Sequence, residues 1–310
     1  MNTPSFITLT INPALDVSTD VREVIPAEKL RCGASRYEPG GGGVNVARVL
    51  KRLDAHPIAI YTAGGPTGAA FTELLDREQI PTILVPIEGS TRESFTIDET
   101  STGKQFRFVL EGPALTEPEW QASLRALETT IEPGSYVVAS GSLPAGVPDD
   151  FYARVARIAK RAGAHCIVDA SGPALREAVA EGVLLVKPSR TELEEFAGHP
   201  LDSRDAQIVA AREIISAGGA ELVALSLGAE GALVVSDEQT LFLAAPDVKV
   251  RGTVGAGDSF VAGFVLRLAQ GATPGEALRT AVAAGAATAS CPTTALCTAG
   301  LVTQLEASLR

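Results

Sequence analysis

Apolar residues recur along this chain with two different periods. Phe6–Ile11 is a short apolar run that stops at Asn12-Pro13, as a buried strand running into a turn does. After the glycines Gly40–Gly43, the residues Val46, Val49, Leu50 and Leu53 fall on one face of a helix. A strand at Ile58–Thr62, a break at Gly64-Gly65, a helix near Thr67–Glu78 and a strand at Ile83–Pro86 follow. Beyond Tyr136 the alternation becomes regular. Apolar runs at Tyr136–Ala139, Cys166–Val168, Leu184–Val186 and Leu222–Leu227 are separated by helical patterns at Asp149–Ala162, Ala174–Glu181, Thr191–Ala197 and Asp205–Ala217. Short buried runs alternating with amphipathic helices predict an α/β fold, with a doubly wound, mostly parallel sheet flanked by helices on both faces.

Two early stretches break this rhythm. Residues 16–38 are polar, with short Val/Ile and Tyr stretches interrupted by Pro26 and Gly33. In residues 92–111, Ser94–Glu99 and Gln105–Leu110 alternate polar and apolar positions about a turn at Ser101–Gly103, as a hairpin with one solvated face does. These segments read as insertions into a single α/β domain over residues 1–310, building a small β-sheet lid over one edge. An isolated small sheet buries little, so two chains are expected to pair through it as a homodimer.

Composition narrows the function. With 45% hydrophobic residues among 310, the chain has ample material for a core. Its 26 Lys and Arg against 37 Asp and Glu give a net charge of −11, which excludes an overall basic footprint for nucleic acid or an acidic membrane. An anionic substrate must then be held by a few local cations and backbone N–H groups. The N-terminus has no basic stretch leading into a long apolar run, and no apolar run is long enough to span a bilayer, so a cytoplasmic protein is expected. The stretch Ala281–Cys291 reads as a tightly packed helix. The four cysteines form no CxxC pair, and His56, His165 and His199 lack metal-ligand spacing. Trp120 reads as a packing anchor near a helix start.

Two glycine-bearing segments could carry chemistry. In Thr253-Val254-Gly255-Ala256-Gly257-Asp258-Ser259-Phe260, glycines precede an apolar helix that Gly271 ends, so successive N–H groups can point at one spot on the positive end of the helix dipole. Asp258 there is either a general base for a substrate hydroxyl or an ordinary N-cap. The run Gly40–Gly43 before Asn45 either admits a polyhydroxylated ligand close to the backbone or is a flexible turn. Neither segment fits GxxxxGK[ST] or GxGxxG, which leaves a Walker-type loop and a dinucleotide-binding oxidoreductase unsupported.

PGGGGVNVARVL, SGSLPAGV, VKPSRTEL, SLGAEGA and TVGAGDSF occur in that order along the chain. Together they resemble the ribokinase-like carbohydrate kinases, in the phosphofructokinase B branch, over nearly the whole length. Within that branch, the four glycines with AEKLRCGA and QFRFVLEGPAL are most similar to the minor bacterial 6-phosphofructokinases. Tagatose-6-phosphate and 1-phosphofructokinases usually carry a lysine inside the glycine run, where Gly42 stands here.

The resemblance implies transfer of a phosphoryl group from ATP to the C1 hydroxyl of fructose 6-phosphate. On this reading Asp258 is the catalytic base, and Gly255, Ala256 and Gly257 form the anion hole. Asp16, Gly41, Gly42, Asn45 and Ser142 hold the sugar, while Arg92, Arg107 and Lys29 contact its phosphate. Lys187, Ser189, Ser226, Gly228 and Gly231 bind ATP, Gly285 backs the adenine, and Glu192 orients Mg²⁺ through water. Asp169 either helps the magnesium environment or caps a turn. Two positions depart from the family pattern. The usual K-P-N-x-x-E has Ser189 for its Asn, which keeps a Ser-x-x-Glu capping box but puts a direct contact to the triphosphate in doubt. Cys291-Pro292-Thr293-Thr294-Ala295 replaces a loop, often with Asn and Gly, whose carbonyls bind a monovalent cation, so K⁺ dependence stays open. The resemblance also leaves tagatose 6-phosphate, fructose 1-phosphate, or a non-catalytic nucleotide- or sugar-binding relative as alternatives.

Overall fold

The computed structural model describes residues 5–309, so the first four residues of the N-terminal stretch, read above for a leader, lie outside it. The first half of the chain runs β1 (Phe6–Thr10), β2 (Ala14–Val21), β3 (Arg36–Gly40), α1 (Gly42–Arg52), β4 (Pro57–Ala63), α2 (Gly65–Arg77), β5 (Thr82–Pro86), β6 (Arg92–Glu99), β7 (Gln105–Val109) and α3 (Glu117–Thr130). It continues through β8 (Tyr136–Ser140), α4 (Phe151–Ala162), β9 (His165–Asp169), α5 (Gly172–Glu181), β10 (Val183–Val186), α6 (Arg190–Ala197) and α7 (Arg204–Ser216). The last part holds β11 (Ala220–Ser226), β12 (Ala232–Val235), β13 (Thr240–Leu243), α8 (Ala256–Ala269), α9 (Pro274–Ser290) and α10 (Ala299–Ser308).

Nine strands form one sheet in the order β13-β12-β11-β10-β9-β8-β1-β4-β5. The pairs from β5 across to β11 are parallel, and β12 and β13 extend the edge antiparallel. Both faces are buried, so successive residues of one strand enter different cores. Val137 and Ala139 pack with α3–α7, while Val138 between them packs with α1, α8, α9 and α10. This is why the strands read as continuous apolar runs rather than alternating ones. The antiparallel strands β12 and β13 went unrecognised in the sequence. Ala232–Val235 is four buried apolar residues, and β13 is a short, partly exposed edge.

The chain leaves β1 for β4 on one side and later returns to place β8 on the other. That reversal opens a crevice at the carboxyl ends of the central strands, where ligands collect in open α/β sheets. Thr10, Ser140, Asp169 and Ser226 end β1, β8, β9 and β11, and Lys187 follows β10, all at that edge.

Strands β3-β2-β6-β7 form a separate four-stranded sheet. Residues 92–111 do hold an antiparallel pair, β6 with β7, but the two inserted stretches are joined by parallel pairing of β2 with β6 over Ala14–Val21. Register sorts the side chains by face. Tyr37, Val17, Phe95 and Phe108 stand in one cross-strand row, and Glu38, Asp16, Ser94 and Val109 stand in the next. One face is therefore apolar, and the other carries the polar residues that meet the crevice.

Among the described residues no helix is long and apolar enough to cross a membrane. The four cysteines are free. Trp120 is only 4% exposed and packs edge-on against Phe151, with the ring centroids 6.3 Å apart and the Arg154 guanidinium 4.9 Å over its ring. We expect Trp120→Ala to cost about 3–5 kcal/mol in denaturant unfolding, the range for truncating a buried aromatic. This packing lies apart from the crevice, so activity per folded molecule should be unchanged.

Candidate active site

Helix α8 opens on Gly255, whose φ of 74° lies in the left-handed region that a side chain would disfavour. Gly255 is the N-cap, and no side chain caps the helix, which leaves its first N–H groups available at the positive end of the dipole. Asp258 therefore sits inside the first turn and is not the cap that a bland reading of the motif allowed. Ser259 anchors the turn from beneath: its hydroxyl lies 2.8 Å from the Gly255 carbonyl and 2.7 Å from the Thr288 hydroxyl on α9.

This first turn stands between two cavities. Gly255 and Asp258 face one of about 170 Å³, shared with Asp16, Gly41, Asn45 and Arg107. Ala256 and Gly257 face a larger, more apolar cleft of about 480 Å³, whose walls include Ser226, Gly228, Gly231 and Gly285. Gly42 and Arg92 also line the smaller cavity. A Cβ at Gly42 would collide with the Ser140 hydroxyl, so any side chain there would require Ser140 to move.

At the strand ends the charges are organised around the buried Lys187. Lys187 Nζ lies 3.0 Å from Asp169 Oδ1, with side-chain exposures of 7% and 13%. It also lies 3.6 Å from where a Cβ on Gly257 would stand, beside the α8 first turn. Burial opposes the Lys187 charge, but Asp169, Glu192 and Asp258 together outweigh it and hold the ammonium above its usual value. Burial likewise raises Asp169, against the pull of Lys187. Asp169 thus serves as the counter-ion of Lys187, and the Ser140 hydroxyl donates to it at 3.3 Å.

Asp258 accepts a hydrogen bond from Asn45 Nδ2 at 2.9 Å. Desolvation and then the nearby Asp169 charge push its carboxyl up to about 7, while the Asn45 bond and Lys187 act the other way. Burial also raises Asp16 to about 6, opposed first by Arg107 and then by Arg48. The Arg92 guanidinium is held by the carbonyls of Asn12 at 3.0 Å and Leu110 at 3.3 Å, and its Nε is buried without a partner.

Several expected residues are not gathered here. Lys29 is exposed on the loop between β2 and β3, outside the strands that face the cavity, and does not line it. Ser142 is also exposed and does not line it; its hydroxyl accepts from Asn12 Nδ2 at 3.1 Å. Ser189 caps α6: its hydroxyl accepts from the Glu192 amide at 3.3 Å, and Glu192 Oε2 accepts from the Ser189 amide at 2.7 Å. A bridge between Ser189 and Ser226 brings this cap beside the Ser226–Gly231 segment. Ser140 and Arg48 are polar neighbours that the sequence reading passed over. Arg48 left one signal, a basic residue among the valines of α1, three positions after Asn45.

Comparison with known proteins places this geometry. A family model described as pfkB family carbohydrate kinase matches residues 9–299. The chain belongs to the pfkB carbohydrate kinase family. Within that family it is 46% identical to the ATP-dependent 6-phosphofructokinase isozyme 2 of Mycobacterium tuberculosis over 95% of this chain and 86% of that one. The isozyme 2 of Escherichia coli is 42% identical over 94% of both chains. A crystal structure of the Escherichia coli phosphofructokinase-2 with fructose-6-phosphate superposes with a TM-score of 0.93 at 38% identity, covering 99% of each chain. That protein has also been solved with potassium, and in a tetrameric inhibited form. The pfkB fold is the ribokinase-like α/β architecture with its added small sheet.

The raised Asp258 carboxyl has a consequence for stability. Its folded value of about 7 exceeds the ordinary 3.8, so ionising it costs stability at a pH above about 7, and the cost is absent below the unfolded value near 4. We expect Asp258→Asn to raise the Tm relative to wild type at pH 8, with the gain shrinking toward pH 4. Thermal melts across that range check this; a difference independent of pH would contradict it.

Proposed function

We propose that this chain transfers the γ-phosphoryl group of Mg-ATP to the C1 hydroxyl of fructose 6-phosphate, giving fructose 1,6-bisphosphate and ADP. The observation that carries this reading is the partition of the crevice by the α8 first turn, with Asp258 on the side of the small polar cavity and Ala256-Gly257 on the side of the larger apolar cleft. A sugar phosphate fits the first and a nucleotide the second, and the reacting oxygen and phosphorus meet at the helix end between them.

Each residue then has a task. Asp16 and Asn45 accept and donate hydrogen bonds to sugar hydroxyls, and Gly41 and Gly42 let the ring approach the backbone. Arg92 and Arg107 take the sugar phosphate, for which planar guanidinium groups suit the oxygens. Asp258 accepts the proton of the C1 hydroxyl as the sugar oxygen bonds to the γ-phosphorus, and the β–γ bridging oxygen leaves with ADP. A base titrating near 7 matches that work at neutral pH. The N–H groups of Gly255–Gly257 and the Lys187 ammonium oppose the charge that develops on the transferring group. The adenine lies against Gly285, in the cleft walled by Ser226, Gly228 and Gly231.

Mg²⁺ enters with the nucleotide and keeps most of its water. Glu192 spends Oε2 on the α6 cap, so its other oxygen is the one left to orient that water shell. A monovalent cation belongs to the same reading. In the Cys291–Ala295 loop, Thr293 donates to Asp98 at 2.8 Å and Thr294 donates to Glu38. With both hydroxyls turned to the small sheet, backbone carbonyls remain as ligands for K⁺.

The test is ADP release with Mg-ATP and a panel of fructose 6-phosphate, tagatose 6-phosphate and fructose 1-phosphate. The highest kcat/KM is expected for fructose 6-phosphate, and Asp258→Asn should lower kcat by about 10²- to 10⁴-fold with little change in ATP binding. Near-normal turnover by that variant would remove Asp258 from the mechanism, and preference for another phosphosugar would reassign the substrate.

The small sheet acts in this reading as a lid whose outward apolar row joins two chains. Tyr37 is 50% exposed and Phe108 53% exposed in that row. Sedimentation equilibrium should find a dimer that Phe108→Asp splits into monomers; a monomeric wild type would refute the pairing.

A further inference from the structure

Arg48 lies in α1 beneath the cavity, only 3% exposed, and each of its guanidinium nitrogens donates a hydrogen bond. Nε donates to Glu78 Oε1 at 2.8 Å, and Nη1 donates to the Pro39 carbonyl at 2.9 Å. Nη2 donates to Glu38 Oε1 at 3.2 Å, and Nη1 also reaches Asn45 Oδ1 at 3.3 Å. The same Asn45 side chain donates through Nδ2 to Asp258 Oδ2 at 2.9 Å.

A carboxamide has two nearly isosteric ends of opposite polarity. Arg48 carries donors only, so the oxygen of Asn45 must face it, and the NH₂ group must then face Asp258. Turned over, Asn45 would set a carbonyl oxygen against a carboxylate and an NH₂ against a guanidinium, which is two repulsions in place of two bonds. We infer that Arg48 is a positioning residue of the phosphoryl-transfer site: it selects the orientation in which Asn45 donates to Asp258. The inference rests on Asp258 being the base. Glu78 and Glu38 neutralise Arg48, and Glu38 in turn accepts from Thr294. The chain of contacts therefore runs from Asp258 to the small sheet and to the loop after α9.

Asp258 is faced by Asn45 from α1, Asp16 from the small sheet, and Asp169 and Lys187 from the crevice edge. Of these, Asn45 is bonded to Arg48, and Asp16 feels the Arg48 charge without touching Asp258's hydrogen bond. Without the Asn45 contact, Asp258 loses a donor to its ionised form, and activity should need a higher pH. We expect Arg48→Met to move the acidic limb of the kcat/KM profile up by about one unit, a loss of about fivefold at pH 7 that is largely recovered by pH 9. Asn45→Ala should show the same displacement of the limb, and the double variant should move it no further than Asn45→Ala alone, since Arg48 acts through Asn45. A loss that is flat with pH, or effects on the limb that add, would reduce Arg48 to a structural role and overturn the inference. If Arg48→Met fails to fold, Arg48→Met/Glu38→Gln removes the carboxylate left without a cation, since Glu78 keeps Arg52, and is read by the same profile. Asp258→Asn, run alongside, separates the two failures. Near-normal turnover there defeats the reading of the base, whereas collapse there with an unmoved limb in the Arg48 variant defeats only the positioning role.

Discussion

The first turn of α8 must keep its N–H groups unspent while standing between two cavities, and most of the surrounding structure serves that requirement. A helix start ordinarily satisfies those groups with a capping side chain. Here Gly255 supplies the turn with no side chain at all, and support comes from below, through Ser259 and Thr288. The apolar body of α8 is buried against α9, so the exposed end is held by a rigid core. The carboxyl ends of β1, β8, β9 and β11 bring Thr10, Ser140, Asp169 and Ser226 up to the same edge.

Burial of so many carboxylates creates the site's second constraint. In a chain of net charge −11, Asp169, Asp258 and Glu192 gather round a single buried lysine, while Asp16 lies nearer Arg107 and Arg48. Desolvation raises the aspartates, and their joint field keeps Lys187 charged. Asp258 is left near neutrality because its two stabilising contacts, Asn45 and Lys187, only partly offset burial and Asp169. A carboxyl so placed depends on how each neighbour is oriented, and the orientation of Asn45 is the one that a side-chain amide cannot set for itself.

The polar face of the small sheet turns toward the crevice, and Tyr37 and Phe108 at the ends of its apolar row stand half exposed. The sheet is tied to the loop after α9 by Asp98 with Thr293 and by Glu38 with Thr294. Those threonines lie in the Cys291–Ala295 loop, so that loop carries contacts of its own to the sheet.

What the sequence determined by itself were properties set over a few neighbouring residues. The apolar runs and helical periods expressed the layered α/β core because each strand or helix buries its own face, and the Ser189–Glu192 capping box formed because it needs only four consecutive residues. The ordered motifs carried the family and most of the crevice residues for the same reason. Tertiary structure decided what depends on partners distant in the chain. The parallel pairing of β2 with β6, the antiparallel edge of β12 and β13, the Lys187–Asp169 ion pair and the bonds of Arg48 to Glu38, Glu78 and Asn45 leave no local period to read. Lys29 and Ser142 carry matching motifs yet lie off the cavity, because a motif specifies residue order while the path of the folded backbone specifies which side chains meet. The energies of burial and of buried charge exist only once those distant segments have come together, and so the chemistry of Asp258 belongs to the folded chain.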